Sequence, residues 1–515
     1  MQRRFVRAGF FVAFLALFLF SAAGNSATDT TAPAAPSEDG TLPALSAIAG
    51  KGMMDSHSYE FLEELSDDIG GRVTGSPQAA RAIEWGLEKM KAIGLENVHA
   101  EKWQLSRGWT RISAEAEILM PVHRKLMVDS MGWVGSTPAN GVEAEVVAVN
   151  INQLDDEVKN NSGKWAGKIL VIVRKGEAPR DGMRGYSQFG PFLVAAYKAH
   201  AAAVIGGQGG SRATGMRLTH TGSLGFDTYY DIPVVSMAME DQSLLERFLD
   251  RGKSVRMKIN VQNRTTSGPV ETANVVGEIG GTEHPEQVIV VGGHLDSWDL
   301  AEGSTDNGCG TTTTLGAAEA IVKAGYKPKR TIRFVLFTGE EEGLLGSIAY
   351  TKTHRDELAN HVAAVILDNG QGPVDSLELG GRDDLVPAVT KFADAIRAFG
   401  ALEVNDSPVF GTDTGPFTLA GLPGINLGQD SPDYRYTHHS GADTFDKVKA
   451  DILIRNATVM ALTAFWIADR PERLAAPWPA ERTARMLIEK KQDGFLKAFG
   501  LWPKDFPSEA EPKDR

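Results

Sequence analysis

Cysteine is almost absent from this chain of 515 residues, where Cys309 stands alone. A lone thiol forms no intramolecular disulfide, so burial has to hold the fold, and a chain of this length can bury enough. Positive charge is also in short supply. Lys and Arg number 53 against 66 Asp and Glu, for a formal net charge of -13. That balance excludes nucleic acid as a partner, because a phosphate backbone demands a basic face. No GxxxxGK[ST] motif occurs, so the glycine-rich stretch Gly206–Ser211 is not a phosphate loop. Internal repeats are missing, which removes solenoid and array architectures. What remains is globular: 42% hydrophobic and 23% charged residues, enough for two or three domains.

The organisation follows from composition shifts. Arg3, Arg4 and Arg7 precede an apolar run from Ala8 to Phe20 and the small residues Ser21-Ala22-Ala23. This is the pattern of a cleaved export signal over 1–23, and the run is short for the ~20 residues of a membrane span. No cysteine lies near the cut to carry a lipid. Export to a periplasm or to the outside is therefore expected, with no membrane span left after cleavage. Residues 24–46, rich in Ala, Pro, Thr and Ser, read as a disordered linker. Helical periodicity starts near Ser56, and a second helix is expected over Pro77–Ile93. Residues 47–118 form the first part of one domain. From 119 to 262 short β-rich runs (VEAEVVAVNI, KILVIVRKG, IPVVSM) surround one helix near Phe192–His200, as expected of an inserted α+β module. From 263 to 474 apolar strands alternate with helices, the pattern of a mostly parallel, doubly wound α/β sheet. Residues 475–515 carry one amphipathic helix over Ala480–Phe499 and a polar tail.

Within that alternating region lie GGHLDSWD, GSTDNGCG, FTGEEEGLLGS, VILDNG and YTHHSGADTF. His294 and Asp296 follow one predicted strand, Glu340 and Glu341 the next, and Asp368 a third. The carboxyl ends of strands in open α/β sheets are where ligands bind. His294, Asp306, Glu341, Asp368 and His439 are typed and ordered as ligands of two cations, with one carboxylate serving both. Asp306 lies in a flexible Gly/Ser/Asn loop, suited to that bridging role. Asp296 is placed to accept from the second ring nitrogen of His294. Glu340 and Glu341 are adjacent and point apart, so one ligates while the other serves as general base. Singly, each residue has a plainer explanation, as a core histidine, a helix-start glutamate or an aspartate N-cap. Cys309 is expected to pack within the metal loop rather than act as a nucleophile. Taken together, the set predicts hydrolytic chemistry at a metal pair.

These same motifs resemble the di-zinc exopeptidases that include the bacterial leucyl aminopeptidases, glutamate carboxypeptidase and the carboxypeptidase Q branch. SDDIGGRVTGS, HPEQVIVVGGHLDSWD, PKRTIRFVLFTGEE, GTDTGPF and YRYTHHSGADT look most like the last of these. The resemblance spans nearly the whole chain beyond the signal. It implies a zinc-exopeptidase fold, with the inserted module as a protease-associated lid. It also implies two zinc ions per chain, with cobalt or manganese as alternatives. One would be held by His294, Asp306 and Asp368 and the other by Asp306, Glu341 and His439. Glu340 would be the base, Asp296 a supporting carboxylate, and Asp306-Asn307 a cis peptide. In the HH pair, His439-Ser440-Gly441-Ala442-Asp443-Thr444 matches the pattern of this family, leaving His438 either a bystander or a substrate contact. His220 (in THTG of the lid) is either a reach toward a substrate terminus or an ordinary loop residue. Asp413 of GTDTGPF is a further substrate-contact candidate.

Peptides are the expected partners, and a homodimer stays open. Lean toward dipeptidase or carboxypeptidase action rests on the carboxypeptidase Q likeness. Arg180, Arg184, Tyr186 and Arg212 of the lid are candidate holders of a terminal carboxylate. An aminopeptidase on the same site is the alternative, needing an acid for the free α-amine. A non-catalytic receptor on this fold would have lost ligands, and all five are present.

Overall fold

The computed structural model describes residues 41–176, 184–206 and 216–507. The expected signal and most of the expected linker lie outside these residues, as do Arg180 and Arg212, and the side chains of Arg184 and Tyr186 are likewise not described. Where the linker was expected to run to 46, Leu42–Met54 is a helix, with Pro43 in its first turn and Ala44 and Ile48 buried. Proline is well accommodated there because the first helical N–H groups have no intrahelical partner.

Two eight-stranded sheets divide the chain. The first runs in the order Glu96–Leu105, Val270–Ile279, Arg330–Phe337, His284–His294, His361–Ile366, Gly424–Gln429, Val374–Glu378 and Glu403–Asn405. Its four central strands, from 330–337 to 424–429, are parallel. Antiparallel partners close both flanks. Central strands such as His361–Ile366 are buried at every position, which explains their unbroken apolar sequence. Helices cover the sheet. Cys309–Ala324 and Ala450–Asp469 pack against each other and against Leu42–Met54. Ala450–Asp469 has the length and apolarity of a membrane span, yet it is mostly buried within this core. The α/β doubly wound fold expected from the alternating pattern is the one observed.

The second sheet has the order Arg124–Leu126, Trp109–Met120, Arg256–Thr265, Val142–Asn150, Ile169–Val173, Ala203–Ile205, Val234–Met237 and Val128–Ser130. It starts at Trp109, ahead of the expected boundary at 119, because the whole strand 109–120 pairs antiparallel with 256–265. For the same reason it runs past 262, to Thr265. Among the described residues three helices accompany it, Leu154–Asn161, Arg184–Lys198 and Met239–Asp250, where one was expected. The helix at 239–250 begins beside the buried Asp241, whose Oδ2 accepts from Met127 N (2.8 Å). The expected single tail helix is two, Ala480–Glu489 and Asp493–Ala498. Lys491 between them has φ +59°, a left-handed turn that no α-helix continues through.

Candidate metal centre

Three strands of the first sheet end on one crevice. Strand 284–294 ends with His294 itself, 330–337 leads into Glu340 and Glu341, and 361–366 into Asp368. Asp306 arrives from the turn before helix 309–324, and His439 from the loop after a short helix, Tyr434–Thr437. The 306–307 peptide is cis, as the resemblance implies.

The atoms meet in two groups that share Asp306. His294 Nε2 lies 3.4 Å from Asp306 Oδ1 and 3.3 Å from Asp368 Oδ1. His439 Nε2 lies 3.3 Å from Asp306 Oδ2 and 2.9 Å from Glu341 Oε2. Glu340 Oε2 stands 3.8 Å from His294 Nε2, beside the first group. Each histidine is turned by a backbone carbonyl. His294 Nδ1 donates to Asp296 O (3.0 Å), and His439 Nδ1 donates to Thr221 O (3.2 Å). A carbonyl only accepts, so Nδ1 carries a proton, and Nε2 is the ring atom left to meet a cation placed among the carboxylates.

Donor chemistry fits a cation at each group. His294 Nε2, Asp306 Oδ2 and Glu341 Oε1 are buried without a hydrogen-bond partner. Such orphaned atoms are costly unless something charged lies between them. Burial pushes Glu340, Glu341 and Glu342 well above the usual carboxylate range, with neighbouring carboxylates adding to the rise. Burial opposes ionisation of Asp306 as well, but the adjacent His294 ring and the charges of His438 and His439 hold its carboxyl low. For His294, burial works against the cation, and the carboxylates of Asp368 and Glu340 more than offset it. Imidazole with carboxylate at both groups is a donor set that suits zinc.

Asp296 acts differently from expectation. Its carboxylate is 3.6 Å from the His294 ring, and the backbone carbonyl makes the closer bond. Instead the carboxylate accepts from Thr74 Oγ1 (3.0 Å) and from the N–H groups of Glu340 (3.4 Å) and Glu341 (3.3 Å). It thereby fastens the glutamate pair to the histidine loop. His438 stacks on His439 at 3.7 Å between ring centroids, with Nε2 3.8 Å from Asp306 Oδ2, so it borders the second group. His220 is 2% exposed, not a surface residue, and its Nδ1 donates to His438 O (2.8 Å). Asp413 is buried, and burial together with Asp368 and Asp296 raises its carboxyl to about 7 against the pull of His294.

Several residues that hold the site are not among those the sequence singles out. Arg72 is fully buried and donates to four carbonyls, of Leu295, Gly70, Glu302 and Gly303, at 2.7–2.9 Å, pinning the loop between His294 and Asp306. Trp298 Nε1 donates to Glu341 Oε2 (2.7 Å). Asp443 accepts from the N–H groups of Thr305 (2.6 Å) and Asp306 (3.2 Å), orienting the bridging loop. All three lie within segments that carry the resemblance, Arg72 in SDDIGGRVTGS, Trp298 in GGHLDSWD and Asp443 in HHSGADT, but their partners are not legible there.

Comparison with known proteins agrees with the geometry. Residues 274–464 match the profile of peptidase family M28. Carboxypeptidase Q of Bos taurus is 30% identical over 436 residues, covering 82% of this chain and 88% of that protein. A crystal structure of a peptidase M28 precursor from Shewanella amazonensis has a TM-score of 0.76 at 31% identity, over 86% of this chain and 100% of that one. A zinc aminopeptidase from Bacillus subtilis shares the fold, with a TM-score of 0.62 at 20% identity over 82% of this chain and 97% of that one. Ligand-type residues gathered at the strand ends and relatives aligned over most of their length lead to one conclusion: the chain belongs to peptidase family M28 and is a metallopeptidase.

Proposed function

We propose that the chain is an exported di-zinc exopeptidase that hydrolyses dipeptides or short peptides, acting as a dipeptidase or carboxypeptidase in the manner of its carboxypeptidase Q relatives. The observation that carries the two-ion reading is the Asp306 carboxylate, whose two oxygens approach the two histidines separately, at 3.4 and 3.3 Å. His294, Asp306 and Asp368 would hold one ion, and Asp306, Glu341 and His439 the other. Bound zinc supplies Lewis acidity, which acidifies water and polarises the scissile carbonyl. Glu340 is the general base. Its Oε2 stands 3.8 Å from His294 Nε2, beside the first group, where it would take a proton from the attacking water and return it to the leaving amine. Asp296 holds Glu340 in place through its N–H. His438 faces the peptide beside the second ion.

The alternative is an aminopeptidase, favoured by the buried carboxyl of Asp413, an acid of the kind a free α-amine requires. Export rests on the arginine, apolar and small-residue pattern at the start of the sequence, and secretion of a reporter by residues 1–46 tests it.

One experiment addresses both substrate and base. Amino-blocked dipeptides and unblocked dipeptides are assayed beside Leu- and Ala-p-nitroanilide. Cleavage of blocked dipeptides but not anilides is expected, and the reverse would establish the aminopeptidase. Glu340→Gln should retain zinc by elemental analysis while kcat falls roughly 10²- to 10⁴-fold. Full activity in that variant would remove Glu340 from the mechanism.

A further inference from the structure

The two candidate cation positions are supported in different ways. His294 of the first ends a strand of the peptidase sheet, and Asp368 follows closely on another. His439 and Glu341 of the second are mounted on loops, and both loops rest on the lid. Thr221 N donates to His439 O (2.8 Å), and Thr221 O accepts from His439 Nδ1 (3.2 Å). His220 Nδ1 donates to the preceding carbonyl, of His438 (2.8 Å). His439 has φ +57°, a left-handed conformation that a non-glycine residue keeps only where its surroundings impose it. On the other side, Ser223 Oγ donates to Glu341 O (2.8 Å) and Asp227 N to Glu342 O (3.0 Å). Trp298, which donates to Glu341 Oε2, packs edge-on against Trp133 of the lid at 6.1 Å.

We infer that lid residues 219–223 are a positioning element for the second cation alone, with Thr221 its central residue. This rests on the two-ion reading above. Thr221 is itself held firmly: its Oγ1 donates to Ser130 O (3.0 Å) and accepts from Arg111 Nη2 (3.0 Å). Arg111 in turn pairs with Asp299 of the histidine loop at 2.9 Å. The lid thus completes the site, and does more than narrow the entrance. Groups that orient a ligand from behind are worth roughly 10- to 100-fold in metal affinity.

The test is Co²⁺ titration of the metal-depleted full chain, followed by visible absorption and by equilibrium dialysis with metal analysis. His439→Ala marks which binding step belongs to the second position. Thr221→Val, nearly isosteric but without the hydroxyl, should weaken that step roughly 10- to 100-fold and leave the other unchanged. Thr221→Ser keeps the hydroxyl and should restore it. Ser223→Ala, which removes a single bond to the Glu341 backbone, should act in the same direction and serves where Thr221→Val fails to fold. Equal weakening of both steps, no weakening, or no rescue by serine overturns the inference. A wild-type protein that binds one ion only would instead overturn the two-ion reading beneath it.

Discussion

A buried side chain keeps its role only where its neighbours compensate for lost water, and His361 illustrates the cost when they do not. It begins a fully buried strand, bonded through Nε2 to Tyr350 OH (2.9 Å) and through Nδ1 to Glu357 O (3.1 Å). Burial, aided by the charges of Arg333 and His354, lowers its pKa to about 4, while Glu357 pulls the other way. The unfolded chain, with an ordinary histidine near 6.5, therefore binds more protons between about pH 6.5 and 4. Stability is lost as pH falls through that window, and this group adds nothing further below it. A shift of this size corresponds to about 3 kcal/mol. Urea unfolding of wild type and His361→Gln at pH 7 and pH 4.5 checks this: the variant should lose clearly less stability on acidification. Equal losses would show that His361 is not the responsive group. The candidate metal residues sit at the opposite extreme, where crowded buried carboxylates and orphaned ring atoms are a set that a cation would reconcile.

Elements bring those residues together through close backbone approach. Strand 284–294 and helix 309–324 touch at Gly293, where an added Cβ would stand 2.8 Å from the Gly310 carbonyl carbon. Gly310 itself faces Leu367 O and the Asn307 side chain with no room for a methyl group. Thr311 Oγ1 donates to His294 O (2.6 Å) across this seam. Gly293→Ala should cost about 1–3 kcal/mol by overpacking and should also lower zinc content, because it moves His294. Gly50→Ala is the control: nothing lies within 4 Å of that Cβ in helix 42–54, and the change should stabilise by up to about 1 kcal/mol. Chemical denaturation with metal analysis reads both. A neutral Gly293→Ala would mean that the strand and helix are free to separate at this point.

At the scale of the whole molecule, the inserted module returns to the peptidase sheet at both ends, through strand 96–105 on one side and 270–279 on the other. Its segment 219–223 then touches the metal loops directly. Metal occupancy, lid attachment and sheet stability should therefore be linked. Each ion that binds only the folded state adds about 2.7 kcal/mol when present at 100 times its Kd. Chelation should lower Tm measured by calorimetry, and zinc should restore it. An unchanged Tm would contradict a metal centre at the strand ends.

The sequence by itself determined the sheet and which imidazole and carboxylate groups stand at its edge. Short apolar runs such as VIVV and VAAVI, alternating with helical segments, read as central strands, and the strands 284–294, 330–337 and 361–366 lead to His294, Glu341 and Asp368. Ligand typing is local chemistry, readable residue by residue. The tertiary structure alone decided how those ligands are held. Arg72 reaches Leu295, Trp298 reaches Glu341, and Thr221 reaches His439 across 218 positions of chain. Such contacts leave no periodicity or composition to read, because a hydrogen bond between distant segments depends on where both backbones travel. The same cause brought Trp109 into the second sheet, since strand 109–120 is defined by its partner at 256–265 and not by its own pattern.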